Sequence, residues 1–95
     1  MIVSVDELKA HLRVQHNEED ALLYSLLSQA EAAALDYCHV AGFGDAAPEP
    51  VRLAVMLFAS HFYENRDSSD KSAYDTMMMA FHALLYPYRD PEKMF

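Results

Sequence analysis

Apolar positions recur at helical spacing in four successive blocks of the chain, separated by polar or helix-breaking residues. The first block puts Val5, Leu8 and Leu12 on one face and Lys9 and Arg13 on another, which predicts a short helix of about two to three turns. Ser4 followed by Glu7 fits a capping box, so this helix should begin at Val5. Asn17 suits the N-cap of a second helix, and Glu18, Glu19 and Asp20 place negative charge where the free amides of a helix start favour it. Leu23, Leu26, Leu27, Ala30, Ala33, Ala34 and Tyr37 then hold one stripe, predicting a helix of about 30 Å. Its middle, Ala30 with Ala32, Ala33 and Ala34, would let a neighbouring helix approach closely. Gly42 and Gly44 around Phe43 are expected to end it, with a loop over 44–48.

Pro50 suits the first turn of a third helix, where its missing amide costs nothing, and this helix should run to about Asn65. Leu53, Ala54, Val55, Met56, Leu57, Phe58 and Ala59 leave almost no polar face, so it is expected to be the buried centre of the bundle. Residues 66–72 are polar and predict a solvent loop. A fourth helix carries Tyr74, Met77, Met78, Phe81, Leu84 and Leu85 and should stop at Pro87. No strand-like alternation or internal repeat intervenes. The expected fold is all-α: one domain over 1–95, a bundle of about four helices with a long second and a buried third helix, and 87–95 as an extended C-terminal tail.

A formal net charge of −8, with only seven Lys and Arg, argues against a groove that grips a phosphate backbone. The single cysteine, Cys38, precludes an intramolecular disulfide, as suits a reducing compartment. The longest uninterrupted apolar run, 53–59, is far short of the roughly 20 residues a membrane span needs, and the N-terminus does not resemble a signal peptide.

Candidate chemistry is sparse. His11, His16, His39, His61 and His82 lack metal-ligand spacing, His61 with Glu64 being the one helical pair free of a nearby cap, so no metal or other cofactor is expected. Cys38 and His39 are consecutive, and consecutive helical residues do not face each other, so Cys38 reads as a small buried residue. Two of Met77, Met78 and Met79 should be core by periodicity, the third an adaptable contact. No pair of titratable groups is spaced for acid-base work, and no catalytic residue is expected.

Two phrases remain. Tyr63-Glu64-Asn65-Arg66 falls where the third helix should end, and Leu84-Leu85-Tyr86-Pro87-Tyr88-Arg89 falls where the fourth does. Tyr63, Arg66, Tyr86, Tyr88 and Arg89 together make an aromatic and guanidinium set of the kind enriched where proteins bind one another, with Tyr63 equally compatible with a core position.

Those phrases, in that order and preceded by Leu8-Lys9, Leu12-Arg13, the acidic start Glu18-Glu19-Asp20 and a Leu-rich helix, resemble the small connector or adaptor proteins that join the head of a tailed bacteriophage to its tail. The resemblance spans nearly the whole chain. It implies a structural virion protein that assembles with itself into a ring, twelve-fold in the virion, between the portal protein and a tail-side neck or completion protein. DNA would pass through the hole without specific binding during head completion and head-tail joining. The implied location is the virion neck, after assembly in the host cytoplasm. A ring needs two different faces on each subunit, for which the second helix and the C-terminal tail are the candidates. The competing reading is a small acidic helical protein-binding or regulatory module unrelated to virion assembly.

Overall fold

The computed structural model describes residues 1–43, 46–65 and 70–90. Four helices follow in order, α1 (Val5–Leu12), α2 (Asp20–Cys38), α3 (Glu49–Glu64) and α4 (Lys71–Leu85), and a 3-10 turn (Tyr86–Tyr88) follows the last. No strand occurs among the described residues, and the fold is the all-α bundle with a long second helix. α3 packs along both α2 and α4, which meet each other more narrowly, while α1 lies against α2 and α3. The body is flattened, 43 × 33 × 17 Å.

Leu8, Leu23, Leu27, Val51, Val55, Phe81 and Leu85 are essentially solvent-free, each such burial contributing about 1.5–3 kcal/mol. Ala30 and Ala34 on α2, and Ala54 and Ala59 on α3, are buried completely. Side chains this small allow helix backbones to come close. Phe58 bridges Phe62 and Phe81 at centroid distances of 4.9 and 5.2 Å. The third helix is central as expected, yet its outer edge remains apolar and open: Leu53 is 44% exposed, and Met56 and Leu57 are only half-buried. On α4, Met77 is buried, Met78 partly so, and Met79 points to solvent.

The capping box of α1 forms, Ser4 Oγ accepting from the Glu7 amide at 3.1 Å and Glu7 Oε1 from the Ser4 amide at 3.2 Å. α2 does not start on Asn17. Its N-cap position is Glu19, because the Lys9 amine claims Asn17 Oδ1 at 2.5 Å and Asp20 Oδ1 at 2.9 Å. Lys9 therefore does not lie on a solvent face. It is 9% exposed, and a buried ammonium needs such acceptors; here they staple α1 to the start of α2.

The glycine pair does not end α2. His39 takes a left-handed conformation (φ 58°), its amide donating to Asp36 O and that of Val40 to Leu35 O, both at 3.2 Å. This is a Schellman closure, and it recurs at α1, where Arg13 (φ 60°) donates to Ala10 O and Val14 to Lys9 O. Neither closing residue is glycine, so the usual punctuation is missing from the sequence. α4 also starts sooner than the polar stretch suggested. Asp70 Oδ1 accepts from the Ala73 amide at 3.1 Å, and Lys71 pairs with Asp75 at 2.9 Å, one helical turn on. Residues 66–69 of the expected loop lie outside the described residues.

Two stability changes follow. Arg13→Gly should raise the unfolding free energy by about 1 kcal/mol, since glycine adopts the left-handed region without the Cβ clash. Ser60 Oγ is buried without a hydrogen-bond partner among the described residues, so Ser60→Ala should be stabilising by about 1 kcal/mol. Urea unfolding of each variant against the wild type checks both; a loss of stability in either contradicts the corresponding account.

Candidate assembly surfaces

The C-terminal segment turns back onto the fold after α4 ends at Leu85. Pro87 has no amide to donate, and the chain tightens into a 3-10 turn, with the Arg89 amide on Tyr86 O at 3.2 Å. That turn aims Arg89 at the carbonyl end of α2. Its Nε donates to Tyr37 O at 3.0 Å, its Nη2 to His39 Nε2 at 3.2 Å, and its guanidinium lies 4.6 Å from the centroid of the Tyr37 ring. The same ring stacks on His82 of α4 at 4.3 Å, 19° from parallel. The Asp90 amide adds a bond to Cys38 O at 2.9 Å. The last carbonyls of a helix lack intrahelical donors and carry the negative end of its dipole, so a cation and an amide are the partners they need.

Cys38 lies at the centre of this clasp, fully buried, with Sγ 3.7 Å from Leu85 O. Burial pushes its thiol up, outweighing the opposite pull of the Arg89 charge. Tyr88 packs half-buried on the core, whereas Tyr86 is 60% exposed. Tyr63 performs a similar service at the far end of α2: its hydroxyl donates to Glu19 Oε1 at 2.7 Å, tying the last turn of α3 to the N-cap of α2.

The five candidate residues thus do not gather into one cluster. Tyr63 belongs to one end of α2, and Tyr86, Tyr88 and Arg89 to the other, about 28 Å along a 19-residue helix. Sequence neighbourhood at two helix ends suggested a shared surface, but α3 and α4 run to different ends of α2. Arg66 lies outside the described residues.

Reading the motifs missed the faces between those ends. Ser72, Thr76, Met79, Ala80, Ala83 and Tyr86 form one exposed side of α4, Met79 being 74% exposed, with the exposed Asp75, paired with Lys71, at its edge. Ala21, Tyr24, Ser25, Ser28, Gln29, Ala32 and Asp36 form the exposed side of α2, with Tyr24 56% exposed and Asp36 its charged member. Many carboxylates sit near helix ends, Glu18, Asp20 and Asp36 about α2, Glu49 and Glu64 about α3, and Asp70 before α4, while Glu31 stands in the middle of α2 and Asp75 within α4.

A half-open cleft of about 510 Å³ lies beside Met1, Ile2, Glu31, Leu35 and Arg52. Its polar groups are already engaged: Glu31 accepts from the Ile2 amide at 3.1 Å, and Arg52 donates to Ile2 O at 2.7 Å and to the Glu7 carboxylate. Among the described residues, no group of three or more His, Cys, Asp or Glu could hold a metal ion, and no helix is long and apolar enough to cross a membrane.

The family model for the Phage gp6-like head-tail connector protein matches residues 2–90, reaching from the first buried segment through the Arg89 clasp. The chain belongs to that family. Its role is that of a structural component of a phage virion, and the family is one of connectors, not of enzymes. No curated protein and no solved structure matches the chain.

In this connector, Arg89→Ala should cost about 1–2 kcal/mol by freeing the α2 carbonyls and the Tyr37 ring, whereas Tyr86→Ala should stay within about 0.5 kcal/mol. Denaturation midpoints distinguish them; equal effects contradict the clasp. The folded state holds the Cys38 proton more tightly than the unfolded chain, so that contribution is complete below the ordinary thiol range, near about 8.5, and fades above it. The stability difference between wild type and Cys38→Ala should therefore narrow as pH rises through that range, and a widening would contradict the burial argument.

Proposed function

We propose that this connector is a ring adaptor seated between the portal protein and a tail-side neck or completion protein, assembled in the host cytoplasm and retained in the virion neck. Twelve copies surround a hole through which DNA passes without being specifically bound. The observation that carries this reading is the family match over residues 2–90. Charge supports it: at −8 per subunit, a ring would repel phosphate rather than hold it.

Of the five candidate contact residues, Tyr86 has the exposure to meet a partner directly. Tyr63, Tyr88 and Arg89 would act on assembly by fixing the ends of α2 and α4, and Arg66 remains a candidate contact beside the end of α3. Removing 87–95 would take away part of the fold together with any contact surface. Since Tyr88, Arg89 and Asp90 anchor α2, the separable truncation is removal of 91–95 alone.

The test is electron microscopy of necks assembled from portal protein and the full chain. A closed collar of this polypeptide beneath the portal is the expected result. Virions or portal complexes without any such collar would overturn the reading.

A further inference from the structure

Arg89 reaches His39 through Nη2, 3.2 Å from Nε2. A guanidinium carries donors and no acceptor, so this contact requires an unprotonated Nε2, with the ring proton on Nδ1. An imidazolium has a donor at both nitrogens and would set a second positive charge against Arg89. We infer that residues 86–90 form a proton-operated latch on the end of α2, closed while His39 is neutral and loosened when a proton takes Nε2 from the Arg89 donor. Tyr86, 60% exposed and named above as a partner contact, begins the same 3-10 turn, so the latch governs how firmly that ring is held. The latch itself does not depend on the contact.

The surroundings make the proton an effective competitor. His39 is exposed, so water reaches its ring. It closes α2, whose last carbonyls favour a cation, and Asp36 stands one turn earlier on the same helix. The C-terminal segment brings Arg89 and Asp90 to this end, with Tyr86 and Tyr88 in the turn before them. From α4 comes His82, stacked on the Tyr37 ring at 4.3 Å, while Arg89 lies 4.6 Å from the centroid of that ring. Carbonyls and carboxylates attract either cation, so Arg89 and a proton are alternatives at one nitrogen. The closed latch excludes the proton and the open latch admits it. Closure is therefore complete above the ordinary imidazole range, near about 6.5, and declines as pH falls through it. No hydrogen bond or ion pair of the helical core involves the His39 ring, which confines the response to 86–90.

Hydrogen exchange at the Asp90 amide in the full chain reads the latch, because that amide donates across to Cys38 O at 2.9 Å. Its protection, taken relative to an unstructured peptide at the same pH, should fall at least about fivefold between about pH 7.5 and about pH 5.5, values that bracket the imidazole range and lie above that of carboxylates. His39→Gln, which keeps a neutral acceptor at an exposed position, should show no such fall. Constant protection in the wild type overturns the inference. An equal fall in His39→Gln also overturns it, whether His82 or a general loss of stability is the source. Arg89→Ala supplies an independent check: protection should already be low at the higher pH and should not change at the lower one. A pH response that persists without the guanidinium would overturn the inference as well.

Discussion

Helix α3 has a neighbour on each side, and that one packing constraint governs where everything else in the subunit can go. Its Ala54 and Ala59, with Ala30 and Ala34 of α2, are buried without residual exposure, which lets helices approach closely enough for a 95-residue chain to form a core. Because α2 and α4 spend their apolar stripes on α3, each has one outer side left. Nothing in the core depends on those sides, and in an acidic protein they would ordinarily be the place for charge. They carry little of it, Asp36 on α2 and Asp75 on α4, and many of the other carboxylates stand near helix ends.

The acidic groups cost the fold little where they stand. Helix ends tolerate acidic groups well near N-termini, where Asp6, Glu7, Asp20 and Glu49 lie. Like charges on two copies would oppose their approach. The two ends of α2 are fixed by different means, Lys9 and Tyr63 at its start and Arg89 with Asp90 at its finish. In the ring proposed above, rigid placement of α2 would matter because an error in its orientation would recur in every copy around an axis.

Much of the fold was legible in the sequence because it follows from periodicity and local chemistry. The stripe from Leu23 to Ala34, the Ser4–Glu7 box and the Pro50 start all form as their spacing requires. What was not legible depended on residues distant in the chain. Asn17 has every local qualification for an N-cap, but Lys9 takes its oxygen; His39 and Arg13 close helices from a conformation that glycine usually supplies. Arg89 looked like a contact for another molecule because its partners, the carbonyl and ring of Tyr37, lie 52 positions earlier. The exposed sides of α2 and α4 were not legible from motifs, because exposure itself had to be seen.

The proposed ring requires copies of net charge −8 to associate while their like charges resist. The ionic-strength dependence of self-association, measured by sedimentation equilibrium on the full chain, tests it most directly. Salt screens repulsion between the acidic ends without removing any ion pair from the contact. Association should therefore strengthen from low salt to about 0.5 M, where the screening length falls to a few ångströms. Association that weakens over the same range would show that charge pairs hold the copies together, contradicting the account.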